Sequence, residues 1–254
     1  IYPSSYSDDN NSDDDFIIKD KKFYTTIDNY IKRIGNEEDK RILYCTDEVS
    51  QSNALSLWTT NGNEVLMADS LIDSQFIPWL ESKNQNIKFQ RVDSELDDKL
   101  KENSPEISDK SGETKSDSLK KLITNSLDND KVTVEIQALK GSSSFPAMII
   151  LPEQMRRIND IGALMDQRIP GLPEHHVLLV NKNHHLVQGL LKLSSSTINL
   201  QSNQSSTEDN LTNEIACHIY DMARLSVGGL KPEEISAFQT RNADLIGKLV
   251  QKTI

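Results

Sequence analysis

Three short apolar runs recur along one stretch of the chain: Arg41-Ile42-Leu43-Tyr44-Cys45, Glu64-Val65-Leu66-Met67 and Ile87-Lys88-Phe89-Gln90-Arg91-Val92. Helical sequence lies between them, from about Glu48 to Trp58 and from Ile72 to Leu80, and Asn61-Gly62 breaks the first helix. Strand-helix-strand-helix-strand with connections this short predicts a small parallel sheet with right-handed crossovers. The first strand-to-helix turn is Thr46-Asp47-Glu48. A phosphate-binding loop would place glycines and free backbone N–H groups there, whereas two carboxylates repel phosphate. The sheet is therefore read as structural, with no nucleotide site.

Around this βαβαβ core the composition changes sharply. Ser7 to Asp15 reads Ser-Asp-Asp-Asn-Asn-Ser-Asp-Asp-Asp. It has nothing to bury and repels itself, so residues 1–25 are expected to be an acidic, largely disordered segment. Order is expected near Thr26, a good N-cap for a helix Ile27 to Ile34. The first domain spans 26–100, and a polar stretch at 101–118 is read as a linker. The second domain, 119–254, starts with a helix at Ser118 to Leu127. Strands follow at Lys131 to Ile136, Pro146 to Leu151 and His176 to Val180. Helices are expected at Pro152 to Gln167 and His185 to Leu193, a loop at Ser194 to Glu208, and two long helices at Asp209 to Val227 and Lys231 to Lys252. The fold class is mixed α/β: a small parallel subdomain, then an α+β domain ending in a helical hairpin.

The hairpin carries the strongest physical signal. Leu211, Ile215, Ile219 and Met222 line one face of its first helix; Ile235, Phe238, Asn242, Leu245 and Leu249 repeat at helical spacing on the second. Gly228-Gly229 ends the first helix and Pro232 starts the second. An intramolecular hairpin would account for these stripes. Two hairpins paired as a four-helix bundle would bury them better, and the polar Asn242 would help set register. In the helix after Pro152, Met155, Ile158, Ile161 and Met165 share a side. Such a stripe normally faces a core, but flexible thioethers also suit a surface that must fit many partners. Phe76 and Trp79 form a second, weaker candidate; packing with Ile77 onto the parallel sheet is the simpler reading.

Other chemistry is sparse. His175-His176 and His184-His185 invite a zinc site, but on a strand adjacent residues point to opposite faces, and no Cys or carboxylate stands at zinc-finger spacing. His218 falls mid-helix as a surface or interface residue. Cys45 and Cys217 are too far apart in sequence to suggest a disulfide framework, and packing is their expected role. No catalytic, cofactor-binding or metal-binding residue is assigned.

At Tyr44-Cys45-Thr46-Asp47-Glu48, Glu64-Val65-Leu66-Met67, Ile72-Asp73 and Arg91-Val92-Asp93-Ser94-Glu95-Leu96-Asp97-Asp98, the chain resembles the heat-shock protein 90 family. The resemblance continues through Phe145-Pro146-Ala147-Met148, Met155-Arg156-Arg157, Pro173-Glu174-His175-His176-Val177 and the terminal helix pair, covering nearly everything from Tyr30 onward. It implies the end of the family's middle domain followed by its C-terminal dimerisation domain. It further implies a molecular chaperone that pairs with itself through the terminal helices and binds unfolded or partly folded client proteins. Met155, Ile158, Ile161, Met165, Phe76 and Trp79 become client-binding candidates on that reading. The family's ATPase domain and the catalytic arginine of its middle domain have no counterpart here. ATP and magnesium are thus expected of the full-length family only, and the chain is expected to be a piece. No acidic tail ending Met-Glu-Glu-Val-Asp follows Lys252-Thr253-Ile254, which points to the bacterial or organellar type.

A net charge of −11 argues against a nucleic-acid footprint and an anionic membrane surface, and no apolar run reaches the ~20 residues of a spanning helix. With few cysteines, a cytoplasmic location is expected. The competing reading is an α/β metabolic enzyme with a helical dimerisation domain. It would need a polar pocket at the carboxyl ends of the strands, near Thr46, Asp69 and Asp93. A purely structural dimeric adaptor is a third.

Overall fold

A computed structural model describes residues 1–6, 17–19, 22–35, 40–70, 72–84, 86–102, 114–141, 145–151, 175–199 and 205–253. They form two compact units, one of Ile1–Leu96 with Leu151, the other of Asp97–Ile150 with the described residues from His175 on.

In the first unit the expected parallel triple is present. Strands β4 (Lys40–Cys45), β5 (Leu66–Met67) and β6 (Ile87–Arg91) alternate with helices α2 (Ser52–Thr60) and α3 (Asp73–Lys83). β4 lies between β5 and β6 and runs parallel to both. Alternation along β4 puts Ile42 and Tyr44 on one face, where they pack with Tyr30, Leu66, Ile77 and Phe89; α1 (Ile27–Ile34) adds Ile27, Ile31 and Ile34 at the margin. Leu43 and Cys45, on the opposite face, are buried as well, as are Ala54, Leu57 and Trp58 of α2. A sheet covered on both faces needs strands that are apolar throughout, which is why Ile42 to Cys45 reads as a run.

Order begins earlier than Thr26. β1 (Tyr2–Ser4), β2 (Ile17–Lys19) and β3 (Lys22–Thr25) are antiparallel additions that extend the sheet to six strands in the order β2-β3-β1-β5-β4-β6. Polar anchors hold them. Tyr2 Oη donates to Asp73 Oδ1 at 2.9 Å, and Ser4 Oγ to Glu64 Oε1 at 2.6 Å. Arg33 reaches both Glu64 (2.8 Å) and the Thr25 hydroxyl (2.7 Å). These contacts join residues up to 71 positions apart, so no local window contains them. The acidic run Ser7 to Asp15 lies outside the described residues. Thr26 caps α1 as expected, its side chain accepting from Asn29 N at 3.2 Å. α2 starts at Ser52, later than expected, because Asp47 folds the preceding turn onto itself by accepting from Val49 N and Ser50 Oγ.

The second unit begins at Asp97, before the stretch read as a linker. Leu100, in a 3-10 turn Asp98–Leu100, is fully buried. Glu102 N donates to Ala138 O at 2.8 Å and Lys140 N to Leu100 O at 3.0 Å. Helix α4 (Lys115–Leu127) starts earlier than Ser118, where Thr114 and Asp117 form a reciprocal capping box. Its sheet has the order β7-β9-β8: β9 (His176–Asn181) is parallel to β7 (Val132–Gln137) and antiparallel to β8 (Ala147–Ile150). Helix α5 (His185–Asn199) runs into the segment expected as a loop, and α6 (Ser205–Ser226) begins within it. The serines that suggested a loop do not stop either helix. α6 packs on α4, α5 and β8, and α7 (Pro232–Thr253) lies against α6. Among the described residues no helix is long and apolar enough to cross a membrane.

Candidate functional site

The terminal hairpin is built as its end signals require. Gly228, at φ 68°, takes the left-handed conformation; Gly229 N donates to Arg224 O (2.8 Å) and Gly228 N to Leu225 O (3.1 Å), which closes α6 with a Schellman turn. Pro232 opens α7, and Glu234 reaches back to accept from Lys231 N at 2.8 Å. Burial works against the Glu234 carboxylate, yet the Arg224 guanidinium at 2.8 Å and the Lys231 N–H hold it below the usual carboxylate range. The helices are further tied by Asp221–Arg241 and Glu214–Lys248 ion pairs, and by the His218 ring stacked flat on Phe238.

The expected stripes separate once packing is known. Ile219 is fully buried, along with Ala216, Tyr220 and Ala223 on α6, so it belongs to the core of its own unit and not to an exposed seam. Leu211, Ile215 and Met222 are half-buried. On α7, Phe238, Asn242 and Leu245 are half-buried and Ile235 is exposed, while the Leu249 side chain lies outside the described residues. Two residues absent from the expected stripe, Ile246 and Val250, are 53% and 52% exposed. At 100° per residue they fall within about 60° of Ile235, so the three mark one open face. The signal was present but doubled: Leu245-Ile246 and Leu249-Val250 each offer two adjacent apolar residues, and periodicity alone does not choose between the faces.

Helix α3 gives the second surface. Ile77 packs into the sheet core as expected, but Phe76 and Trp79 do not: they are 39% and 51% exposed and stack on each other, ring centroids 5.5 Å apart. Ile72, 71% exposed just before α3, is one and two turns away at i, i+4 and i+7 and extends the same side. Met155, Ile158, Ile161 and Met165 lie outside the described residues.

The carboxyl ends of the parallel strands are already committed. Asp93 and Arg91 are buried and paired through two hydrogen bonds of 2.5 and 2.9 Å. Thr46 N and Oγ1 are both engaged by the Gln51 amide, and Asp69 points to solvent. Ser50 and Val49 N lower the pKa of Asp47. The imidazoles of His184 and His185, expected on opposite faces, lie 4.2 Å apart because they sit at a turn and helix start rather than on a strand. Among the described residues no group of three or more His, Cys, Asp or Glu converges as a metal site. Cys45 is buried, which pushes its thiol up to about 11. Cys217 donates to Ser126 O at 3.3 Å.

Relatives of this chain carry one name. It is 29% identical over 191 residues to the chaperone protein HtpG of Bacteroides thetaiotaomicron, a match covering 69% of this chain and 27% of that protein. It is 30% identical over 185 residues to the HtpG of Bacteroides fragilis strain 638R, with the same coverage, and 28% identical over 232 residues to that of Porphyromonas gingivalis, covering 83% and 31%. The chain thus spans less than a third of the length of the curated relatives it matches. The family model described as Hsp90 protein matches residues 16–253, and with nearly the whole chain inside that match, this chain belongs to the Hsp90 family of chaperones.

Proposed function

We propose that this chain is the rear part of an Hsp90-type chaperone, the end of the middle domain and the C-terminal domain, which pairs with a second copy through its terminal hairpin and offers apolar surface to non-native proteins. The observation that carries the pairing is the state of α7. None of its described side chains is fully buried, and Ile235, Ile246 and Val250 open one face to solvent. An apolar stripe of this length left in water is unfavourable, and stacking it on the same stripe of a second hairpin gives a four-helix bundle. Half-buried Asn242 lies about 20° from Ile235, at the margin of that face, where a polar residue favours one register. The Phe76–Trp79 pair supports client docking, since stacked aromatics held half in water have apolar area to give a partner. ATP and magnesium belong, on this reading, to parts of the full-length protein outside this chain. Its place is the cytoplasm.

Sedimentation of the chain over a dilution series tests the pairing. Wild type should run as a dimer that dissociates on dilution, and Ile246→Asp should run as a monomer with unchanged far-UV dichroism. Burying an unpaired carboxylate in such a seam costs several kcal/mol, about the scale of a broken buried pair. A wild-type chain that stays monomeric at high concentration, or an Ile246→Asp variant that stays dimeric, would refute it.

A further inference from the structure

We propose that His218 is a pH-responsive latch inside the terminal hairpin, clamping α7 onto α6 as a neutral ring and releasing it on protonation. Its imidazole lies flat on Phe238 of α7, centroids 5.1 Å apart and planes within 3°. Its Nδ1 is buried and has no hydrogen-bond partner among the described residues. α7 has no fully buried described side chain of its own to hold it, and its other links to α6 include the Glu214–Lys248, Asp221–Arg241 and Arg224–Glu234 ion pairs. A single stacked contact therefore counts for more here than in a well-buried seam.

The groups around the ring set the sign. From α6 itself, Asp221 favours the charged form, but that carboxylate is engaged by Arg241 and Arg224. From α7, Arg241 opposes it. β8 carries no titratable side chain, and the contact from α4 beside neighbouring Cys217 is the neutral Ser126. Among the described residues, Asp221 and Arg241 are the charges that act on the ring. Burial is the largest influence and, with Arg241, outweighs Asp221, lowering the His218 pKa. An imidazolium would regain some attraction from the Phe238 face, but its Nδ1–H would be buried without an acceptor. A histidine whose folded pKa is depressed gives stability that is complete above its unfolded value, near 6.5, and is lost as pH falls through the folded value.

The latch is a contact within one chain and does not rest on the proposed pairing. Hydrogen exchange of α7 peptides tests it at pH 7.5 and 5.5, corrected for the intrinsic pH dependence of exchange, in wild type, His218→Phe and His218→Gln. In wild type, α7 should open several-fold more readily at pH 5.5, while β7, β8 and β9 keep their protection. His218→Phe should stack on Phe238 and keep α7 protected at both pH values; if it does not fold, His218→Gln should show α7 equally open at both. Wild-type α7 protection that does not change with pH, or variants that open with acid as wild type does, would overturn the latch. Sedimentation of the same samples separates the two ideas. α7 protection that ignores pH in a chain that stays dimeric counts against the latch alone, and a chain monomeric at both pH values counts against the pairing alone.

Discussion

Two side chains on opposite sides of α3, only two residues apart, should respond in opposite ways to truncation. Ile77 is 5% exposed and sits in the core under the sheet, so Ile77→Ala removes buried methyl groups and leaves a cavity, at about 2–5 kcal/mol. Trp79 is 51% exposed, and its packing is the stack on Phe76, itself 39% exposed. An aromatic pair contributes about 0.5–1.5 kcal/mol beyond its buried area. Half in water, this one should lie at or below the lower end, within about 0.5 kcal/mol of neutral, like most surface substitutions. At roughly 4–8 °C per kcal/mol for a unit of about 100 residues, Ile77→Ala should lower the melting midpoint by about 8 °C or more, and Trp79→Ala by no more than about 4 °C. Circular dichroism is the right readout for the melt, because removing Trp79 alters fluorescence while leaving buried Trp58. The same samples are then assayed by light scattering for suppression of a model client's aggregation. Trp79→Ala and Phe76→Ala should weaken suppression, because an unfolded client needs apolar surface to dock on. Folded Ile77→Ala should retain it. Trp79→Ala destabilising as strongly as Ile77→Ala would return the pair to the core. A stable Trp79→Ala with full suppression would remove the patch from client binding.

Other consequences are more local. Arg91→Ala leaves the Asp93 carboxylate buried without its guanidinium and should cost about 3–5 kcal/mol, seen as a lower denaturant midpoint; a loss below 1 kcal/mol would mean that the pair is effectively hydrated. Glu234 has a depressed folded pKa, so its contribution is complete above the usual 4.5 and is lost as pH falls through the folded value. Protection of the α6–α7 turn should therefore drop between pH 5 and 3 in wild type but not in Glu234→Gln, a window below that of His218. Calorimetry should detect no saturable ATP binding, since the turn before α2 presents Asp47 and Glu48; binding that survives Asp47→Ala would locate a site elsewhere, and binding of any kind would revive the enzyme reading.

Features set by neighbours in the chain are legible in the sequence. The three parallel strands, Thr26 at the start of α1, Gly228 after α6 and Pro232 at the head of α7 each depend on a few adjacent residues, and each stands where local chemistry puts it. The family resemblance was legible for a related reason: short motifs in order along the chain are themselves a sequence property. Long-range packing was not. β1 and β3 are ordered by Tyr2–Asp73, Ser4–Glu64 and Arg33–Thr25 contacts that meet only after folding, so composition made that segment look disordered. Helical periodicity says which residues share a face and is silent on what covers it. That is why Ile219 is core, Phe76 and Trp79 are open, and the exposed side of α7 runs through Ile246 and Val250. Burial is a property of the whole packed unit, and only the tertiary structure decides it.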